Sequence, residues 1–386
     1  MDEGHGAERD LSAGGDPVDV EREDLGTTNG EPYDPERIDV VTKTPTISLM
    51  LSRLRRGTID LQPDFQRIAG IWSDANQSRL IESILLRIPL PAFYAAEVAE
   101  PEDSADQWAI VDGIQRLTAI VRFVEPSPAF PPLTLTGLNY LDFNGSRFAD
   151  LPGRLQTRLE ETELVLHLIR RGTPVEAKFN IFARINTGGL PLTTQELRHA
   201  LIPGRARELL AELADSAEFQ EATDGSVART RMADREMVLR FLAFRLTDPA
   251  EYREKDFDRF LQEAMRRINR LADDDVEALC REFRVAMRTS QEAFGKYAFR
   301  KQYEEHASRY PVNKALFESI YVGFARQPGM AGRIAAKPKR FLRGFRDLLN
   351  SDRQFERSIS VSTGDPASVR YRFAKIGELV DSHGRG

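Results

Sequence analysis

Residues 108–125, WAIVDGIQRLTAIVRFVE, change their hydrophobic period in mid-stretch, and no other segment constrains the fold as tightly. Ala109-Ile110-Val111 is a short apolar run closed by Asp112-Gly113; after it Leu117, Ile120, Val121 and Val124 recur at three- and four-residue spacing. A strand that feeds straight into a helix has this signature. The pattern predicts Asp112 as the helix cap, with Gln115 three positions on completing a capping box. A helix start placed there turns several unpaired backbone N–H groups toward solvent, which favours an anion. Arg116 in the first turn opposes the helix dipole, and makes sense if a phosphate or carboxylate lies between it and those N–H groups. On the local pattern alone a structural cap beside a solvated or ion-paired arginine is an equal alternative.

A chain of 386 residues has room for two domains. No run approaches eighteen apolar residues, so no spanning helix is expected, and the acidic start MDEGHGAERD lacks the apolar core of a signal peptide. The expectation is a cytoplasmic protein. The single cysteine, Cys280, stands in a helical pattern and reads as a small core residue; without a Cys/His cluster there is no case for zinc. The formal charge of −6 hides an asymmetry: residues 1–40 hold 13 Asp/Glu against 3 Arg, leaving 51 basic and 47 acidic side chains elsewhere. A mildly basic body permits a nucleotide or nucleic-acid partner.

Residues 1–40, rich in Gly, Asp, Glu and Pro without periodicity, read as a disordered acidic tail. From Thr44 a short helix ending at Gly57 is expected, then an extended segment leading to Phe65-Gln66-Arg67. Ser73 caps a helix with Leu80, Ile81, Ile84 and Leu85 inward, and a turn at Pro89-Leu90-Pro91 leads into the strand AFYAAEV. Glu82 on that helix reads as a solvated carboxylate rather than a site residue. Further on, LTLTG and LNYLDF suggest two strands, Asp150 a helix cap, and LVLHLI a buried strand in which His167 is a satisfied sheet-face histidine.

The second informative block is Pro174 to Ala200, PVEAKFNIFARINTGGLPLTTQELRHA. A helix with Phe179, Phe182 and Ile185 inward runs out at Asn186-Thr187-Gly188-Gly189, and Thr193 with Glu196 forms a capping box for the next helix. Glycine turn and fresh helix N-terminus together suit an anion or a ribose edge, although an ordinary helix–turn–helix connection would look the same. Beyond Pro203 the chain is a series of amphipathic helical segments with short loops. Among them Arg333, Lys337, Lys339, Arg340, Arg343 and Arg346 fall within 14 residues. Lys337, Lys339, Arg340 and Arg343 are candidate DNA-phosphate contacts, with a solvated helix face as the default.

Asp112-Gly113-Ile114-Gln115-Arg116 resembles the DGQQR signature found at the N-terminus of GmrSD-type (type IV) restriction endonucleases, a family related to the ParB/sulfiredoxin-like fold; Ile114 departs from it. Gln66-Arg67, Trp72 and the Ile88–Pro91 turn resemble that family's opening block. Phe182, Arg184 to Gly189, Pro191-Leu192-Thr193 and Glu196 to Arg198 resemble its second signature. The resemblance implies an α+β protein: the acidic tail, a ParB/sulfiredoxin-like α/β domain over residues 41–203, and a mostly helical domain over 204–386. It further implies a nucleotide-binding regulatory subunit of a bacterial restriction or anti-phage system, hydrolysing a nucleoside triphosphate with Mg²⁺. Asp112, Gln115 and Arg116 would be catalytic, with Asp112 also meeting the metal. Gln66, Arg67, Gly113, Ile114, Arg184, Asn186, Thr187, Gly188, Gly189, Glu196 and Arg198 would hold the nucleotide. DNA and a separate nuclease are the implied partners, because His306 and His383 do not stand in a nuclease-like setting. A nucleotide-gated DNA-binding protein of ParB type, or an endonuclease, are the alternatives.

Overall fold

The protein is described from a computed structural model covering residues 20, 21, 23, 34–61, 72–98, 107–185, 192–305 and 308–385. It divides into two compact units, Glu31–Pro203 and Gly204–Gly386 together with Met1–Gly30.

The first unit is built on a five-stranded sheet. In chain order the strands are β1 (Val40–Lys43), β2 (Ile59–Asp60), β3 (Phe93–Val98), β4 (Gln107–Asp112) and β5 (Leu166–Ile169), arranged β1-β5-β3-β4-β2. β3 runs antiparallel to β4 and parallel to β5; β1 is antiparallel to β5 and β2 parallel to β4. Trp108 to Val111 are all buried, as expected of a strand covered on both faces. The helices are α1 (Ile47–Arg55), α2 (Asp74–Leu85), α3 (Ile114–Val124), α4 (Gly153–Glu161), α5 (Val175–Ile185) and α6 (Thr194–Leu201). Ser73 caps α2 through Asn76 N–H, as its sequence position predicts. On one side of the sheet Ala96, Val111 and Ile169 share a core with Phe179 and Phe182 of α5 and Leu197 of α6.

Several expectations are corrected here. LTLTG and LNYLDF form no strands; Leu133 and Leu135 are buried, but the segment is a loop closed by Leu135 and Ser146 backbone bonds. Glu82 holds that loop. It is 3% exposed, and its carboxylate accepts the N–H groups of Asn139, Tyr140 and Leu141. Burial pushes its pKa upward, but these three N–H donors outweigh it and hold the group below its ordinary value. Asp150 accepts from Arg147 N–H instead of capping a helix, and α4 starts after Pro152. Val40–Lys43, partly assigned to the tail, is an edge strand.

The second unit is helical: α7 (Arg205–Ala214), α8 (Ala217–Thr223), α9 (Ala233–Leu246), α10 (Phe257–Asn269), α11 (Asp273–Phe294), α12 (Lys314–Arg326), α13 (Pro328–Ala336), α14 (Pro338–Ser351), α15 (Arg353–Ser358) and α16 (Pro366–Gly384). The acidic tail is not wholly outside this unit. Val20 bridges Val312, and Glu21 and Glu23 bond to side chains of the helical unit. Cys280 is half-buried rather than in the core, and burial raises its thiol pKa.

Candidate functional site

Asp112 ends β4 and Gly113 follows it, where pairing with β3 slips: Tyr94 faces Asp112 while Ala95 faces Ile110. Val111 is the extra residue, and such a bulge re-aims the side chain that follows it. Gly113, not Asp112, is the N-cap of α3; it adopts φ 94°, and no side chain caps the helix. The predicted Asp112–Gln115 capping box is therefore absent. Only glycine fits at 113, since a Cβ there would lie 2.4 Å from Phe93 Cδ1. The first-turn N–H groups of α3 consequently lack a side-chain cap, which is the condition for receiving an anion.

Arg116 turns inward and is 8% exposed. Its guanidinium donates to the carbonyl of Pro91, to that of Ala92 at 3.2 Å and to Asp112 Oδ2 at 2.7 Å, and stacks over the Phe93 ring at 4.5 Å. Burial lowers its pKa, with Asp112 opposing. The dipole-opposing arginine thus has its carboxylate within its own turn, and it ties the turn to the start of β3. Asp112 keeps a side-chain exposure of 34%. Gln115 is half-buried and accepts the N–H of Trp72 at 3.3 Å; Gln77 in turn donates to the Trp72 carbonyl at 2.7 Å. Ile114 is buried.

The second block supplies α6. The Thr193–Glu196 capping box is present: Thr193 N–H donates to Glu196 Oε2 at 2.6 Å, and Glu196 N–H to Thr193 Oγ1 at 3.2 Å. Arg198 is buried and donates to Gln195 Oε1 and Thr194 Oγ1, while Arg184 at the end of α5 is exposed. Gln66, Arg67, Asn186, Thr187, Gly188 and Gly189 lie outside the described residues. The end of β4 and the N-terminal half of α6 are nevertheless neighbours, because Val111, Phe182 and Leu197 share one core with Leu192 packed against it. A residue that sequence reading passed over is Gln195. It is 0% exposed, and its Nε2 has no hydrogen-bond partner among the described residues. Nothing in the polar string TTQE signals that burial.

His167 accepts or donates at Nδ1 with Thr42 Oγ1 and packs on Tyr94, as a sheet-face histidine does. His306 lies outside the described residues; His383 bonds through Nδ1 to Ser382 Oγ and the Leu379 carbonyl. Among the described residues no three His, Cys, Asp or Glu side chains gather to hold a metal, and no helix is long and apolar enough to cross a membrane. Asp112 alone is compatible with a Mg²⁺ that arrives on phosphates, since such ions take one or two carboxylates and keep phosphate and water ligands.

The unit is an α/β domain: a mixed sheet in which the buried strand β4 ends at a helix start without a side-chain cap, with a second, capped helix sharing its core. Residues 47–203 match the family described as GmrSD restriction endonuclease, N-terminal domain. The match associates the protein with restriction systems. No curated protein matches the chain.

Proposed function

We propose that the α/β unit binds a nucleoside triphosphate and serves as the regulatory part of a restriction or anti-phage system. The observation that supports this most is that Val111, just before the uncapped α3 start at Asp112–Gly113, shares one core with Leu197 of α6. Backbone N–H groups of Gly113 to Gln115 would take phosphate oxygens, and Arg116 would add positive charge from beneath the turn. Asp112 would meet the phosphate-borne Mg²⁺. Bound Mg²⁺ would neutralise phosphate charge; the residues' own part is to bind and orient.

A second reading, a nucleotide-gated switch of ParB type without turnover, has its own support. Gln115 and Arg116, the residues cast as catalytic, are both engaged in holding loops, which suits binding better than water activation. Titrating the full chain with fluorescent GTP, ATP and CTP in the presence of Mg²⁺ tests the shared claim. Saturable binding weakened by Asp112→Asn is expected, and failure of all three nucleotides to bind would overturn both readings. Phosphate release that disappears in Gln115→Ala while binding persists favours the hydrolase; binding without release favours the gate.

A further inference from the structure

The helical unit contains a line of polar groups whose partners come from the far end of the chain. Arg240 on α9 is fully buried, and its two terminal nitrogens grip both carboxylate oxygens of Glu23, with Nη1 to Oε1 at 2.9 Å. Thr363 Oγ1 donates to the same carboxylate. Two residues earlier, Glu21 accepts from Lys301 Nζ at 2.8 Å and from Asn313 Nδ2 at 2.9 Å. The Glu21 N–H donates to the Val312 carbonyl at 2.8 Å, and Val20 forms a parallel bridge with Val312. This is the pattern of a short strand added beside a chain edge. Main-chain bonding fixes the register, and side chains two apart on one face enter separate pockets.

Charge shows which part is host and which is guest. Around Arg240 the helical unit itself offers Arg240, Lys314 and Arg372 against Glu236 and Glu318. That set carries one uncompensated positive charge, and Glu23 closes it. Val20 and Glu21 are half-buried, and the Glu23 side chain, 8% exposed, is the most enclosed part of the segment, so carboxylates rather than apolar area hold it. The hold of the segment therefore rests on desolvated ion pairs and one main-chain bond, not on a core of its own.

We propose that the helical unit carries a receptor site for an extended Glu-x-Glu segment, filled in cis by Glu21 and Glu23 and open to an acidic peptide of another protein when that segment leaves. The test uses the full chain, wild type and Glu21→Gln/Glu23→Gln, with a fluorescein-labelled peptide of residues 16–28 followed by anisotropy. The double variant is expected to bind the peptide about thirtyfold more tightly than wild type does, and a peptide with glutamine at both positions to lose that binding. Equal affinities for the two chains, or for the two peptides, would overturn the proposal. Should the variant not fold, amide exchange in the wild type decides. The Glu21 amide is expected to exchange through local opening, about a hundredfold faster than the core amides of α9. Exchange of both at the global unfolding rate would mean the segment is a fixed part of the fold.

Discussion

Arg116 and Arg240 are both buried guanidiniums, and they are satisfied in opposite ways. Arg116 meets two backbone carbonyls and one partly exposed carboxylate, all within 25 residues of it in sequence. Arg240 meets Glu236, Glu318 and Glu23, the last 217 residues away. The first arrangement pairs the guanidinium within its own turn, beside a helix start that no side chain caps. In the second, burial works against the charge but the three carboxylates outweigh it and raise the arginine's pKa. Arg116 is held by its own turn and the start of β3, whereas Arg240 takes one of its carboxylates from a separate segment of the chain.

That contrast breaks most visibly at Arg240. Arg240→Ala leaves Glu23, Glu236 and Glu318 buried around a missing charge, and should cost about 3–5 kcal/mol in urea unfolding. A loss under 1 kcal/mol, on the scale of a surface pair, would show that water already reaches the cluster. Gly113→Ala attacks the other region. With φ 94° and Phe93 in the way, it should cost about 2–4 kcal/mol and move the Phe93–Arg116 stack. An unchanged melting temperature would mean that the turn relaxes freely, and the positioned N–H groups would lose their basis.

Asp234 in the helical unit sharpens the comparison, being a buried carboxylate without a close guanidinium bond among the described residues. Burial raises its pKa from 3.8 to about 6, against the opposing N–H of Arg235. The folded protein therefore holds this proton more tightly than the unfolded chain. Its contribution is full below pH 4 and is lost as pH rises through about 6. Asp234→Asn should thus stabilise the protein by up to about 3 kcal/mol at pH 7, and the gain should fade toward pH 4. A gain independent of pH would point to packing instead of titration.

These differences also explain what could be read from the sequence. The β4–α3 unit, the α2 cap and the Thr193–Glu196 box depend on residues three or four apart, and periodicity with cap chemistry reports them. The bulge at Val111 does not: it arises from pairing with β3, and it moves the cap from Asp112 to Gly113. Glu82 looked like a surface carboxylate because its three N–H donors lie 57 to 59 residues on, in a loop whose apolar alternation imitates strands. The acidic tail was opaque for the same reason. Composition marks it as unable to form a core, yet Glu23 needs no core of its own when Arg240 supplies the partner.

The smallest structural effect, and the sharpest division between the two kinds of arginine, belongs to the basic face of α14. Lys337, Lys339, Arg340 and Arg343 are all exposed, while Phe341 and Phe345 of the same stretch are buried. Helix packing therefore rests on the aromatic stripe, and the cations contribute nothing to it. Replacing the four by alanine should change stability by no more than about 0.5 kcal/mol at each position. If this face meets a phosphate backbone, the variant should bind duplex DNA more weakly, and log K against log salt should flatten by about 0.9 for each contact removed. An unaltered salt slope would assign the four cations to solvent alone, and any DNA contact would then have to lie elsewhere.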